Sequence, residues 1–266
     1  MSPGGVCDGV VGDAYVVAES DVEGERRDGD TALVKETIGS AQGCDQLAQR
    51  VIRYGTGRSA ERMLEAEDDV LYVVSGRGTL VVDGREHPLE PNTGAFVAAG
   101  ETAVVENEST DDLVVVSVTA PASPAGPGPS RRVTVAFDGQ EELRADEKRT
   151  FRYLVNQDAG CREVTQFVGI VQPCRAPDHS HSYDEVGFIV EGHGIAHVNG
   201  EQIPIGPGSC FHLPPQVVHC IENTGPEVMR LLGVFHPSGD PASRSYDAAR
   251  AAQQRDADDV EHLAHQ

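Results

Sequence analysis

The sequence predicts an all-β protein in which one fold is built twice. Its 266 residues include 29 glycines and 16 prolines, a composition that favours turns and short strands over long helices. Short apolar runs separated by turn residues recur along most of the chain, and strands of this length joined by hairpins form a β-sandwich or a barrel. A set of glycine and proline positions also recurs at one constant spacing, which indicates an internal repeat.

The repeat is clearest around two pairs of turns. Gly76–Gly78 lies 116 positions before Gly192–Gly194, and Asp83-Gly84 lies the same distance before Asn199-Gly200. Asp-Gly and Asn-Gly are favoured where both central residues of a tight hairpin need positive φ. Around these turns we predict four strands in each copy: Val70–Val74, Thr79–Val82, Ala95–Ala98 and Leu113–Val118, then Val186–Val190, Ile195–Val198, Cys210–Leu213 and Met229–Val234.

Composition divides the chain into domains. Thr119–Arg132 is dominated by proline, glycine, alanine and serine, which predicts a surface linker between one domain over 31–121 and a second over 133–237. Residues 1–30 are expected to form a loose arm that adds one strand near Ala14–Ala18. Residues 238–266, rich in alanine, arginine, glutamine and aspartate, predict a short, peripheral C-terminal helix.

The charge balance limits the classes of partner. The chain has 21 basic and 43 acidic residues, a formal net charge of −22, which repels nucleic acid and anionic membrane surfaces. No run approaches the roughly 18 apolar residues of a transmembrane helix, so no membrane partner is expected. Six cysteines are scattered without a Cys-x-x-Cys pair and the N-terminus shows no signal segment, so we expect a cytoplasmic protein with reduced thiols.

Four side chains of the second copy predict a transition-metal site. His179 and His181 are separated by one residue, so both project to one face of an extended strand. Glu185 lies an even number of residues further on and would project to the same face. His219 follows two prolines and would bring a third imidazole from another strand. Three imidazoles and one carboxylate suit one divalent transition metal, whether Fe, Mn, Ni, Cu, Co or Zn, with two coordination positions open for a substrate or oxygen.

The spacing of these residues resembles the two conserved motifs of the cupin superfamily. The motifs read His179-x-His181-x3-Glu185-x6-Gly192, then Pro207-x-Ser209, then His219-x3-Asn223. The resemblance covers roughly residues 150–237 well and, through the repeat, residues 35–121 more weakly. It implies a bicupin of two tandem double-stranded β-helix, or jelly-roll, barrels. It also implies that the metal ligands are His179, His181, Glu185 and His219; Ser209, where many cupins have aspartate, lies outside that set.

The first copy lacks the imidazoles. An offset of 116 places Met63, Glu65, Asp69 and Ala103 at the four ligand positions. Two carboxylates without imidazole make a weak site for a hard ion at best. We therefore interpret the first barrel as degenerate, retained for packing, for dimerisation or for shaping the second pocket.

Two further residues are candidates for a catalytic role. Tyr183 shares the parity of the ligands and could hydrogen-bond a bound substrate, although a tyrosine between strands serves as often in wall packing. Arg175 precedes the first motif at the barrel entrance, where its forked donors could pair with a substrate carboxylate, or it could be a solvated loop residue.

The resemblance implies a metal-dependent enzyme and leaves three hypotheses about its reaction. The favoured one is an oxidoreductase or dioxygenase that acts with dioxygen on a small enolisable or aromatic compound, since the superfamily includes flavonol and 1,3-dicarbonyl dioxygenases. The second is a redox-neutral aminohydrolase, isomerase or decarboxylase. Its layout is similar to the ureidoglycine aminohydrolase family, whose ligand set differs at the first and last histidines. The third is a non-enzymatic binding barrel. Cupin barrels commonly pair, so the hydrophobic outer strands of both halves indicate a compact bicupin unit, and a homodimer of this unit is a further expectation.

Overall fold

The computed structural model describes residues 9–11 and 14–243, and within them it confirms the all-β prediction. These residues form 23 strands and four 3-10 helices of three residues each. In that part of the chain no helix is long and apolar enough to cross a membrane. Of the predicted C-terminal helix over 238–266, residues 238–243 form irregular chain with one turn, and residues 244–266 lie outside the described part.

The strands before the linker build most of the first barrel. They are β1 (Gly9–Val11), β2 (Ala14–Ala18), β3 (Ala32–Ile38), β4 (Ala48–Tyr54), β5 (Gly57–Arg58), β6 (Arg62–Met63), β7 (Glu67–Ser75), β8 (Gly78–Val82), β9 (Arg85–Leu89), β10 (Thr93–Val97), β11 (Thr102–Asn107) and β12 (Leu113–Pro121). Since β12 runs to Pro121, it takes in the first three residues of the predicted linker.

The strands after the linker repeat this order. They are β13 (Thr134–Ala136), β14 (Leu143–Arg144), β15 (Arg149–Val155), β16 (Thr165–Val171), β17 (Cys174–Arg175), β18 (Asp184–Glu191), β19 (Gly194–Val198), β20 (Glu201–Ile205), β21 (Ser209–Leu213), β22 (His219–Asn223) and β23 (Met229–His236). All eight strands predicted from the sequence are confirmed, with ends that differ by at most three residues.

Each barrel closes from two antiparallel sheets. In the first, a six-stranded sheet in the order β13-β10-β7-β12-β4-β3 packs against a sheet in the order β5-β11-β8-β9, with β6 also paired to β11. In the second, an eight-stranded sheet in the order β1-β2-β21-β18-β23-β16-β15-β14 packs against β17-β22-β19-β20. The predicted Asp83-Gly84 and Asn199-Gly200 hairpin turns are confirmed, since all four residues have positive φ between 46° and 86°.

The two halves exchange their first strands. β2 pairs with β21 of the second barrel, and β13, which follows the linker, pairs with β10 of the first barrel. Each exchanged strand satisfies backbone groups at the sheet edge that its partner strand would otherwise expose. Neither barrel therefore completes its large sheet from its own half of the chain.

The apolar faces of the two large sheets meet between the barrels. One buried cluster there joins residues of both halves, including Val70, Phe96 and Leu154, while separate clusters fill each barrel. Met63 is the one large hydrophobic side chain that is exposed in the described residues. The hydrophobic outer strands thus cover one another within the chain, as the prediction of a compact two-barrel unit requires, and the homodimer stays a prediction.

Two buried glutamines at equivalent positions cross between the barrels. Gln49 on β4 donates its side-chain amide to the backbone carbonyl of Gly187 on β18, at 3.2 Å. Gln166 on β16 donates in the same way to the carbonyl of Leu71 on β7, also at 3.2 Å. Both side chains are completely buried, so the two hydrogen bonds fix the barrels in an apolar surrounding where misalignment leaves polar groups unpaired.

Replacing Gln49 and Gln166 with leucine is expected to lower the free energy of unfolding by about 1–2 kcal/mol per site, because each change removes a donor from a buried carbonyl. Urea denaturation of the single and double variants measures the loss. Gln202→Leu, on the exposed face of β20, is the matched control. Equal losses at Gln202 and at the two buried sites would contradict a role in barrel docking.

Candidate metal centre

The loop before β18 and the start of β22 bring the predicted ligands together. His179 and His219 face each other across an isolated antiparallel bridge, with backbone N to O distances of 3.0 and 2.8 Å. The Gln216 amide donates to the His181 carbonyl at 2.7 Å and so ties the ligand loop to the turn before β22. Two backbone attachments therefore hold the histidine-bearing loop against the barrel wall.

The four side chains converge on one point inside the second barrel. One ring nitrogen from each of His179, His181 and His219 lies within 4.8 Å of the others. A carboxylate oxygen of Glu185 lies 3.6 Å from Nε2 of His181 and 3.7 Å from Nε2 of His219. All four residues are only 5–8 % exposed, so the donor set is both compact and shielded from bulk water.

Backbone carbonyls set the tautomer of two of the imidazoles. Nδ1 of His179 lies 2.9 Å from the Pro177 carbonyl, and Nδ1 of His219 lies 2.9 Å from the Val217 carbonyl. Because a carbonyl only accepts, each Nδ1 carries the proton and each Nε2 keeps its lone pair. This is the arrangement by which metal-ligating histidines are oriented in proteins.

The electrostatics of the centre suit a cation. Burial raises the pKa of Glu185 to about 8, since removal from water disfavours the charged carboxylate. Burial, aided by the charge of His179, lowers the pKa of His219 to about 3, so this imidazole is neutral at pH 7. A neutral imidazole and a desolvated carboxylate are the forms that bind a divalent transition metal, so the residues fit the ion implied by the cupin resemblance.

A small pocket opens above the four predicted ligands. Its volume is about 80 Å³, and its walls are mainly apolar, with Phe151, Phe167, Phe211 and Phe235 among them. Besides the four ligands, Arg149 and Thr150 are the polar side chains that line it within the described chain. The centre therefore lies at the floor of an apolar pocket with one cationic group on its wall.

The structure brings Arg149 to the pocket and leaves Arg175 outside it. Arg149 begins β15, and Asp146 accepts from its Nε and Nη2 at 2.8 and 2.7 Å, which leaves the Nη1 edge of the guanidinium available. Arg175 is half-exposed on β17, where it contacts Asp178 at 3.0 Å and the Cys220 thiol at 3.5 Å. We therefore replace Arg175 by Arg149 as the proposed group for a substrate carboxylate. No sequence pattern pointed to Arg149, because arginines at strand starts are common.

Tyr183 supports a ligand and does not line the pocket. Its ring stacks on His181 with centroids 4.7 Å apart and an interplanar angle of 13°, and it also contacts Phe235, whose ring lies beside that of His181. Its hydroxyl donates to the Asp240 carbonyl at 3.1 Å, and burial with the charge of Glu185 raises its pKa. This geometry supports a positioning role for Tyr183 in place of the catalytic role predicted from parity.

Tyr183→Ala is expected to weaken metal affinity about tenfold or more, since the change removes the ring that orients His181. Tyr183→Phe keeps the ring and loses one hydrogen bond, so its metal affinity should stay within about threefold of the parent value. Chelator competition with Co²⁺ measures both affinities. A loss of turnover in Tyr183→Phe at unchanged metal affinity would instead indicate a direct catalytic role for the hydroxyl.

A second cluster lies outside the pocket, between the barrels. His212 is fully buried on β21, and Asp184 accepts from its Nε2 at 2.9 Å, with the Cys44 thiol nearby. Burial raises the pKa of Cys44 to about 12, so the thiol stays protonated. We interpret this cluster as part of the packing between the barrels.

Comparison with known proteins identifies the family to which the chain belongs. Residues 50–119 and 168–235, together more than half of the chain, match the Cupin domain family. The chain belongs to the cupin family. Because the family matches once in each half, the protein is a bicupin, and its large and small sheets are the two sheets of the cupin jelly roll.

Relatives of this cupin protein differ widely in sequence. Auxin-binding protein T85 of Nicotiana tabacum is 31% identical over 77 residues, 25% of this chain and 41% of that protein, so the chain spans less than half of that relative's length. Protein Ylba from E. coli has a TM-score of 0.71 at 11% identity, over 84% of this chain and 90% of that chain. Oxalate decarboxylase from Bacillus subtilis has a TM-score of 0.68 at 13% identity, over 85% and 77%. At these identities the two solved structures show a shared fold alone.

Proposed function

We propose that the second cupin barrel is a mononuclear metal enzyme, an oxidoreductase of the dioxygenase class acting on a small enolisable or aromatic compound that carries a carboxylate. The observation that carries this proposal is the buried set of three imidazoles and one carboxylate at the floor of a small apolar pocket. A divalent transition metal bound there supplies Lewis acidity, which lowers the pKa of a bound enol or hydroxyl, and redox capacity for a reaction with dioxygen.

The size of the pocket supports a small substrate. One water molecule needs about 10–15 Å³ of pocket volume. The pocket volume of about 80 Å³ therefore holds roughly five to eight groups the size of water. A three- to six-carbon acid or a single substituted ring satisfies this limit. A flavonol, with three rings, exceeds it.

The few polar groups in the pocket favour oxygen chemistry over hydrolysis. The forked N–H donors of Arg149 suit a substrate carboxylate, while the Thr150 hydroxyl can position the substrate through one hydrogen bond. Neither side chain is a general base near neutral pH, and hydrolysis needs a base and an acid at separate positions. The apolar walls also keep water from a reactive intermediate.

A redox-neutral decarboxylase is the second candidate. The structural similarity to oxalate decarboxylase and the presence of one guanidinium beside a pocket of this size favour a small dicarboxylate as its substrate. Decarboxylation releases carbon dioxide without consuming oxygen, so the two candidates differ in a directly measurable product.

Elemental analysis and gas measurement test both candidates together. Protein purified without added metal is analysed for bound metal and then incubated with 2,4-pentanedione, oxaloacetate, catechol and oxalate. Substrate-dependent oxygen consumption supports the dioxygenase. Carbon dioxide release without oxygen consumption supports the decarboxylase. Bound metal with neither gas change across the four compounds contradicts both.

Arg149→Ala is expected to lower kcat/KM by about 10–100-fold for any of these compounds that carries a carboxylate and turns over, mainly through KM, because the change removes a charge-assisted hydrogen bond. The bound-metal content should stay unchanged. Arg175→Ala is the matched control, since this arginine lies on the outside of the same barrel. Equal losses in the two variants would argue against Arg149 as the carboxylate-binding group.

A further inference from the structure

The first barrel encloses a chamber far larger than the pocket of the second. Its volume is about 750 Å³, within the range of roughly 300–1,000 Å³ that is typical of small-molecule sites. The deep wall is apolar and is formed by strands of both sheets, through Ile52, Leu71, Leu80, Val97 and Val105. The chamber therefore offers a ligand a sizeable apolar contact surface.

An arginine takes the place of a histidine ligand in this barrel. Ala103 pairs with Arg62 across β11 and β6, in the same relation in which His219 pairs with His179. Strands β3 and β4 lie 117 positions before β15 and β16, whereas the strands from β8 to β10 lie 116 before their counterparts. The constant offset of 116 assigned Met63 to the position of His179. One residue more in the first copy, between Arg62 and Asp69, makes Arg62 the true counterpart of His179 and leaves Met63 exposed.

The guanidinium of Arg62 occupies the environment that holds the ion in the other barrel. It forms an ion pair with Asp69, the counterpart of Glu185. Asp69 is 1 % exposed and also accepts a hydrogen bond from the Ser117 hydroxyl at 2.7 Å. A metal ion at Asp69 would have to displace this built-in cation, so the barrel is suited to a ligand that the cation itself attracts.

Two sets of donors remain available at the chamber. The guanidinium of Arg62 has five N–H donors, lines the chamber and has one acidic partner, Asp69, in the described residues. Tyr54 is buried and lines the same chamber, and its hydroxyl has no hydrogen-bond partner among the residues described. A guanidinium and a phenol that face one chamber with an apolar wall and a polar mouth form a recognition site for a carboxylate.

The rim restricts the charge of the ligand. The acidic residues at the chamber mouth are exposed: Glu23, Glu25, Glu36, Glu61 and Glu67. Exposed carboxylates are screened by salt within about 8–10 Å, so they act weakly on a single charge bound at the floor. They oppose a ligand with several negative charges, whose outer groups would lie beside them.

We propose that the first barrel is a metal-free binding chamber for a small organic monocarboxylate with an apolar body, whose carboxylate is held by Arg62 and Tyr54. This proposal concerns a different barrel from the proposed metal enzyme and does not depend on its reaction.

Calorimetric titration of the full chain, as purified, tests the proposal with hexanoate, benzoate and phenylacetate as probes. At least one probe should bind saturably below about 10 mM. For that probe, the neutral amide of the same shape should bind about tenfold more weakly or worse, because it loses the charge-assisted hydrogen bonds. Citrate, which carries three charges, should not compete for the site.

Amino-acid substitutions test whether the probe binds at Arg62 and Tyr54. The double variant Arg62→Gln with Asp69→Asn removes both charges without leaving one unpaired, and it should weaken binding about tenfold or more. Tyr54→Phe should weaken it about three- to tenfold. His181→Ala should leave it unchanged, which excludes binding at the metal. The proposal is overturned if none of the three probes binds, if the double variant binds as well as the parent, or if binding disappears in His181→Ala. Circular dichroism confirms that each variant is folded.

Discussion

Replacing His181 with alanine is expected to abolish both metal binding and turnover. The residue is 6 % exposed and its Nε2 lies 3.6 Å from the Glu185 carboxylate, so its loss opens the donor set at the centre. Changes in residues that merely orient a ligand cost about 10–100-fold in metal affinity, so removal of a ligand itself should cost at least about 100-fold. Elemental analysis after gel filtration measures the metal, and the assays described above measure turnover.

His193→Ala is the matched control for this change. His193 lies at the turn between β18 and β19 and is not among the histidines that converge on the centre. Its replacement should leave metal content and turnover within about twofold of the parent values. If the second barrel only binds a ligand, a compound that binds its pocket and not the first barrel should keep its affinity in His181→Ala, and this result would favour the non-enzymatic hypothesis over both enzyme candidates.

The sequence was sufficient to predict which four side chains lie together, because part of the relevant geometry is local and the spacing of the other residues resembles the cupin motifs. Alternation along an extended chain places His179 and His181 on one face, and this period of two does not depend on the rest of the fold. The structure brings both rings beside His219 and Glu185, as that pattern indicates. Because six divalent metals share this donor set, the donors predict a divalent transition metal and do not select one of the six.

The pairing of distant strands could not be predicted in the same way. The run at Ala14–Ala18 indicates a strand, and β2 confirms it, but its partner β21 lies almost two hundred residues later in the other barrel. A strand signal records burial and backbone preference, whereas the partner of an edge strand is decided by which edge is open in the folded state. The exchange between the halves was therefore found only in the structure.

Side-chain direction limited the assignment of Tyr183 and Arg175. Parity placed Tyr183 on the ligand face, yet its ring turns to stack on His181 and its hydroxyl bonds to the Asp240 carbonyl. Arg175 precedes the motif, and an ion pair with Asp178 holds it outside the barrel. Both outcomes depend on rotamers and neighbours that spacing does not specify.

The single-residue difference between the repeats concealed Arg62. A gap-free offset aligns Met63 with His179, and no property of the sequence marks where a loop is one residue longer. The bridge between β6 and β11 settles the register and places Arg62 opposite Ala103. The first barrel thus has a cation beside Asp69 where the second barrel has an imidazole beside Glu185.

Arg62→Ala is expected to lower the free energy of unfolding by about 2–3 kcal/mol. Removing one member of a fully buried ion pair costs roughly 3–5 kcal/mol, because the other charge is left without compensation in an apolar surrounding. The Arg62 side chain is 35 % exposed and Ser117 still donates to Asp69, so the cost here should be smaller. Urea denaturation, monitored by circular dichroism, measures the change.

Asp69→Asn in the Arg62→Ala background is expected to restore most of the lost stability. The amide has nearly the shape of the carboxylate, carries no charge and can still accept from the Ser117 hydroxyl, which removes the cause of the destabilisation. If instead the double variant were as unstable as Arg62→Ala, the cost would come from lost packing of the arginine stem. Arg62 would then stabilise the barrel by filling the space that corresponds to His179. Its ion pair with Asp69 would contribute no stability.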